Sequence, residues 1–320
     1  MKILIAGAGG FIGGHLAKKF ISEKHELICV DIKPFEQWYQ KFDNADNLVL
    51  DLKDANSCND ICNVDYIFNL ACNMGGMGYI ENNKAECMLS VLINTNLLNS
   101  AVKNKVKKFF FSSSACVYSS FTQKDYSNPF LKESDAYPAD PEDGYGWEKL
   151  FSERMCRHFY EDFNLEVRVA RYHNVYGPNG TWDGGREKAP AALTRKFLEI
   201  KSKEKDILEI WGNGEQIRSF MYIDDCIEGS NLLFNSDIRD PINVGASSFV
   251  TINQLADILE KISGIKPERK YILNAPQGVM SRSSDNTLIK SKLNWEPNIK
   301  FEVGMKKLYD WIEGEYKQSK

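Results

Sequence analysis

In the first half of the chain, short apolar runs alternate with longer amphipathic stretches, and that rhythm predicts the elements. Runs at residues 2–6, 27–30, 47–50, 66–70, 108–112 and 166–171 have the length and the β-branched or aromatic content of strands. The stretches between them place apolar residues at helical spacing, most clearly over residues 10–23 and 85–104. A strand that is apolar on both faces belongs in a sheet covered on both sides, and such sheets are parallel with helical crossovers. Residues 1–175 are therefore expected to form one doubly wound α/β domain.

After Tyr176 the texture changes. Gly and Pro cluster in GPNGTWDGGREKAP, followed by a helical pattern near residues 191–203. Strand candidates at 208–211, 219–222 and 242–244 come next, then helical patterns near 253–262 and 302–316. Residues 176–320 are expected to form a smaller mixed α/β domain that binds substrate. The strand near 241–245 is a candidate to return to the first sheet. Ligands of open α/β sheets sit at the carboxyl edge, where a second domain can close over them.

Composition narrows the classes. With 40 Lys and Arg against 44 Asp and Glu, the net charge is −4, which lacks the basic footprint of a nucleic-acid binder. The start, MKILIAGAGGFIGG, reads as a strand and a turn and not as a signal peptide, and no run approaches the roughly 18 apolar residues of a membrane span. A cytoplasmic protein with no membrane partner is expected. The eight cysteines are scattered; Cys58 and Cys62 are the closest pair, but no second pair or His cluster accompanies them, so free thiols and no metal site are expected.

Gly7-x-x-Gly10-x-x-Gly13 lies between the first strand and the first helix. A dinucleotide needs a tight turn there, close backbone approach to its pyrophosphate, and a helix N-terminus whose free N–H groups meet the anion. The first domain is thus expected to be of the Rossmann type. Asp31, at the end of the second strand, can accept hydrogen bonds from ribose hydroxyls and would repel a 2′-phosphate, which favours NAD over NADP. Phe11 and Ile12 inside the motif, Asp51 after the third strand and Leu70 after the fourth complete the expected cofactor contacts.

Tyr145 and Lys149 are four residues apart at the start of a helical pattern, which puts them on one face, one turn apart. An ammonium beside a phenol favours the phenolate and lowers its pKa, so Tyr145 can take a hydroxyl proton while hydride leaves the same carbon for the nicotinamide. Ser112, Ser113 and Ser114 end the fifth strand, and Ser114 is the expected hydroxyl partner. His173 is expected to be structural.

These motifs, with Asn69-Leu-Ala71, Ser112-Ser-Ser-Ala-Cys-Val-Tyr118, Arg218-Ser-Phe-Met-Tyr-Ile-Asp-Asp225, Asn243-Val-Gly245 and Leu293-Asn-Trp-Glu-Pro297, resemble the extended short-chain dehydrogenases/reductases that act on nucleotide sugars. Three further stretches, Asn73-Met-Gly-Gly-Met-Gly-Tyr79, Ser114-Ala-Cys-Val-Tyr118 and Gly184-Gly-Arg-Glu-Lys-Ala-Pro190, with His173-Asn-Val-Tyr-Gly-Pro178, resemble the family of GDP-mannose 3,5-epimerases. That resemblance implies oxidation at sugar C4, epimerisation at C5, C3 or both, and re-reduction. It implies Cys116 as base and Lys188 as acid on the opposite ring face, a GDP-sugar substrate and a homodimer. The spacing fits: two residues beyond Ser114, an extended Cys116 points to the same side, and a neighbouring cation would make its thiolate available.

For the remaining ligand contacts, Asn174 is a candidate for the diphosphate or a sugar hydroxyl. Arg218 and Arg282 carry guanidinium forks suited to phosphate oxygens. Glu187 and Lys196 are candidates for the same pocket, and Gly75, Gly76 and Gly78 for close passage of backbone past the sugar. A 4,6-dehydratase would need an acidic pair just after Ser114, where Ala115 and Cys116 stand. A C4 oxidase or a simple C4 epimerase acting on a GDP-hexose or heptose remains open, as does an NAD-sensing binding protein.

Overall fold

The computed structural model describes residues 1–124, 128–276 and 278–320. Its first sheet comprises β1 (Lys2–Ala6), β2 (Glu26–Asp31), β3 (Asp46–Val49), β4 (Tyr66–Asn69), β5 (Lys108–Ser114), β6 (Glu166–Tyr172) and β7 (Ile242–Val244). All neighbours are parallel, in the order β7-β6-β5-β4-β1-β2-β3. The unbroken apolar runs follow from burial on both faces. In β1, Ile3 and Ile5 join one core, whereas Leu4 and Ala6 join the core on the other side of the sheet. Cys58 and Cys62 are buried in that second core. The strand order reverses between β1 and β4, which opens a crevice at their carboxyl ends. Gly7 and Leu70 begin the segments that leave those ends.

The helices that matter to the site are α1 (Phe11–Ser22), α2 (Ser90–Lys103), α3 (Asp143–Phe163) and α4 (Ala189–Lys201). The expected helix over 85–104 is broken at Leu89 into Lys84–Met88 and α2. Beyond β6, the expected strand over 219–222 is two strands in different sheets. Ile217–Ser219 lies in a four-stranded sheet with Phe249–Thr251, Ser281–Ser284 and Phe130–Leu131, whereas Met221–Tyr222 pairs with Val175–Tyr176. Between the two pieces, Phe220 is buried and stacks on Phe301 at 5.5 Å, so the chain changes sheets where that ring is anchored. Helix Ile223–Asn235 had no counterpart in the periodic pattern, although Asp224 and Asp225 in its first turn are a helix-start signal. Among the described residues no helix is long and apolar enough to cross a membrane.

A buried polar network ties α3 to the sheet. Arg171 on β6 donates to both carboxylate oxygens of Glu153 on α3, at 2.9 and 2.7 Å, and to the Glu133 carbonyl at 2.8 Å. Asn243 on β7 meets the Tyr118 hydroxyl and His173 Nε2. Burial holds His173 neutral, with its pKa lowered to about 3. Both Glu153 and Arg171 are almost fully enclosed. Removing the carboxylate strands a buried guanidinium, so Glu153→Ala should cost about 3–5 kcal/mol. Urea unfolding measures this, and a loss under about 1 kcal/mol would show that the network has other means of compensating the charge.

Candidate active site

The turn from β1 into α1 has the shape a dinucleotide requires. Gly10 caps α1 with extended backbone and no side-chain bond, leaving the first-turn N–H groups for an anion. A Cβ on Gly13 would collide with the Gly7 carbonyl, so glycine lets α1 pack down on the turn. Asp31, buried at the end of β2, accepts the Lys33 N–H at 3.1 Å. Leu70 bonds through its N–H to the Ala6 carbonyl at 2.9 Å, beside the turn. Phe11 and Ile12 are half-buried at the head of α1, and Phe11 lies against Gly180. Asp51 is exposed and accepts the Lys53 N–H at 2.9 Å within its own turn. Trp38, absent from the sequence expectations, packs against Gly9.

Tyr145, Ser114, Cys116, Lys188, Asn174, Glu187, Lys196, Arg218, Arg282 and Gly75 all line one cavity of about 430 Å³. Lys149 lies beside it, fully buried under Tyr145, with Nζ 4.8 Å above the Phe111 ring and 5.7 Å from the Tyr145 ring. Lys149 does not bring the Tyr145 phenol below its ordinary value in the ligand-free protein. Burial pushes the phenol well above its ordinary value, reinforced by Cys72, Cys116 and Glu148, and opposed by a hydrogen bond with Ser114. Lys149 itself lies 3.5 Å from Glu148 and within hydrogen-bond reach of Cys72. Burial works against its charge, but these two neighbours prevail and hold it protonated. The ammonium is thus occupied by its own neighbours, and neither Glu148 nor Cys72 was marked as a partner by spacing.

Cys116 also departs from expectation. The strand stops at Ser114, and Ala115–Val117 is a tight turn in which the Ser114 hydroxyl accepts the Cys116 N–H at 3.2 Å. Cys116 reaches the cavity by that turn and not by strand alternation. The start of α3 grips it: the N–H of the cap residue Glu142 donates to the Cys116 carbonyl at 2.9 Å, and that same carbonyl fills the place a Cβ on Gly146 would take. Burial, with the Glu142 carboxylate, pushes the thiol up to about 11, and Arg282 only partly offsets this. Arg282, expected at a diphosphate, instead donates to Cys116 Sγ at 3.4 Å, Glu142 at 2.8 Å and Gln123 at 2.7 Å. Sequence order placed no acid after Ser114, yet Glu142 arrives there in space.

Lys188 caps α4 and enters from the opposite chain segment. Gly76 makes this possible: its N–H donates to the Arg186 carbonyl at 3.0 Å, and a Cβ there would lie 2.6 Å from the Glu187 carbonyl. Arg186, also missed from sequence, lies 4.0 Å over the Tyr79 ring and donates to Tyr79 and Asn73, pinning the glycine loop to the Lys188 segment. Burial lowers the Lys188 pKa, against the pull of Cys116 and Cys72. Among the remaining lining residues, the Asn174 amide donates to the Ser219 carbonyl and Lys196 to the Glu209 carbonyl. Glu187 is held by Arg195 at 2.9 Å, and Arg218 donates to the Ile217 and Val279 carbonyls.

A helix N-terminus for pyrophosphate and a Tyr–Lys–Ser group at a strand end define a nucleotide-dependent oxidoreductase-type centre. The chain matches the model of the NAD dependent epimerase/dehydratase family over residues 3–245 and belongs to that family. It is an NAD-dependent epimerase-type enzyme with NAD as its cofactor. More particularly, it is 44% identical to GDP-mannose 3,5-epimerase 1 of Oryza sativa subsp. japonica, over 100% of this chain and 84% of the rice protein. It is 42% identical to GDP-mannose 3,5-epimerase of Arabidopsis thaliana over the same shares. Among solved structures, UDP-glucose 4-epimerase of Thermotoga maritima with UDP-glucose superposes with a TM-score of 0.87 at 27% identity, covering 99% of this chain and 100% of that one.

The raised Cys116 thiol has a measurable consequence. A thiol titrating near 11 stays protonated through neutral pH, so its alkylation should accelerate about tenfold per pH unit between roughly pH 7 and 10. Peptide-resolved mass spectrometry of the ligand-free protein reads this rate. A plateau reached by about pH 8 would mean that Arg282 outweighs burial and Glu142.

Proposed function

We propose that this protein is a GDP-mannose 3,5-epimerase in which Cys116 and Lys188 exchange protons with the sugar on opposite faces. The observation that carries the reading is that these two residues, from separate segments, line the same cavity as Ser114 and Tyr145. The relatives at 42–44% identity over the whole chain support the substrate. Tyr145, hydrogen-bonded to Ser114, accepts the C4 hydroxyl proton in its phenolate form, which the positive charge of Lys149 below it favours against burial. Gly7, Gly10 and Gly13 would hold the pyrophosphate of NAD, which would supply a reversible hydride acceptor for C4.

The C4 ketone acidifies the hydrogens on C3 and C5. In its ionised form Cys116 removes one as a proton, and Lys188 delivers another from the opposite face, inverting the centre. The lowered Lys188 pKa suits a proton donor near neutral pH. Gly7, Gly10, Phe11, Ile12, Gly13, Asp31, Asp51 and Leu70 form the cofactor site in this reading. Gly75, Asn174, Glu187, Lys196, Arg218 and Arg282 form the walls around the sugar nucleotide. The first 175 residues with β7 are the cofactor domain, and the rest is the sugar-nucleotide domain. Eight free cysteines favour a reducing, cytoplasmic setting.

A homodimer is part of the proposal. Met88, Leu89 and Leu92 at the Leu89 break, with Trp147 and Phe151 on the adjoining α3, are exposed at 41–57% and form an apolar surface suited to a second copy.

Two outcomes follow. Incubated with GDP-mannose and NAD in deuterated water, the enzyme should place deuterium at C3 and C5 without net NADH. Cys116→Ala and Lys188→Ala should each slow this about 10²–10⁴-fold. Accumulating NADH would instead identify a C4 oxidase. In sedimentation velocity the protein should run at twice the chain mass, and Phe151→Glu should shift it toward monomer; a monomer at working concentration overturns the assembly.

A further inference from the structure

Glu148 is a buried acid that no step of the proposed reaction uses. It precedes Lys149 on α3, and the two side chains are each only 1% exposed. Its Oε1 accepts the Ser152 hydroxyl at 3.0 Å. Its Oε2 is buried with no hydrogen-bond partner among the described residues, and lies 3.5 Å from Lys149 Nζ. The Phe111 and Tyr145 rings also lie against that ammonium, at 4.8 and 5.7 Å.

A buried charge without a counter-ion costs so much that the group gives it up. Burial pushes the Glu148 carboxyl up and Lys149 opposes this, while burial works against the Lys149 ammonium and Glu148 opposes that. Each charge therefore depends on the other. Three thiols also face the pair: Cys72 from the segment after β4, Cys87 from helix Lys84–Met88 and Cys156 from α3 itself. Burial raises all three above the ordinary thiol value, as it raises the Tyr145 phenol, so none is an anion at neutral pH in the ligand-free protein. Glu153, one turn along α3, is spent on Arg171. Glu148 is the anion left to Lys149 among the described residues.

We propose that Glu148 is a positioning residue for the chemistry at C4: its carboxylate pairs with the Lys149 ammonium and fixes that charge under Tyr145. The proposal rests on the reading of Tyr145 as the group that exchanges the C4 hydroxyl proton. Lys149 gives the sugar no proton in that reading. Its charge has to persist while Tyr145 takes the proton and hands it back, because the phenolate is favoured only as long as a cation stays beneath it. Glu148 is not among the residues that line the cavity, so it acts through Lys149.

Glu148→Gln keeps an acceptor for Ser152 and removes the charge. An ammonium that has lost its counter-ion deprotonates at lower pH. In single turnovers of GDP-mannose with NAD, the alkaline limb of nicotinamide reduction should therefore move down by at least about one pH unit in Glu148→Gln. Glu148→Asp keeps the charge at shorter reach, so its limb should stay within about half a unit while the plateau rate falls. In the ligand-free protein, urea unfolding should show Glu148→Gln less stable than the parent, with a loss that shrinks as pH rises from about 7 toward 10, where the stranded lysine can turn neutral. An unmoved limb together with a pH-independent loss of stability overturns the proposal, because a carboxyl that is only structural, or already protonated, is mimicked by the amide. A limb that Cys72→Ala shifts by as much overturns it too, a test that stands even if Glu148→Gln does not fold. Oxidation at the parent rate in Tyr145→Phe refutes the reading of Tyr145 instead, a separate result.

Discussion

The site depends on one close approach, that of the first turn of α3 to the end of β5. The Cys116 carbonyl accepts the Glu142 N–H and occupies the place of a Cβ at position 146. Any larger residue there would force the helix away. With the approach intact, one helix and its cap deliver Glu142, Tyr145 and Lys149 to Ser114 at the strand end and Cys116 in the turn beyond it. The Glu153–Arg171 pair, farther along α3, anchors the same helix to β6 from inside the protein. Redox and proton-transfer groups thus share one mechanical origin.

Electrostatics then separate roles that residue type alone leaves merged. Burial disfavours charge, so an isolated thiol or phenol rises and an isolated ammonium falls. Tyr145 and Cys116 both rise, and Lys188 falls, as burial dictates. Lys149 escapes that rule because Glu148 and Cys72 stand beside it. The two lysines of the site are therefore held in different states: one a permanent charge under the phenol, the other shifted toward giving its proton away.

The second cluster of constraints lies in loops. Gly76 and Arg186 clamp the 73–79 segment onto the segment that carries Lys188, far away in sequence. Arg282 arrives from Ser281–Ser284, in a sheet that also takes a strand from residues 130–131. These contacts bring together chain segments more than a hundred residues apart.

Much was legible before any coordinates. Apolar runs on two-faced strands announce a parallel sheet, because burial on both sides leaves no room for polar alternation, and β1 and β7 fall where the runs end. The glycine triplet and the Tyr–Lys spacing are local geometry, set by turn sterics and helix pitch, so a linear reading reaches them. The break of the long helix at Leu89, the change of sheet at Phe220 and the turn that carries Cys116 lie beyond such reading, because tertiary packing overrides local pattern there. The same holds for the partners of charge. Spacing could name Lys149 and Arg282, but whether each meets a phenol, a phosphate, a thiol or a carboxylate depends on what folding brings within about 3–4 Å in a poorly solvated interior. The sequence by itself determined the sheet, the cofactor turn and the residue types of the chemistry. Only the tertiary structure decided their protonation states and their neighbours, because both depend on burial and on contacts between distant segments.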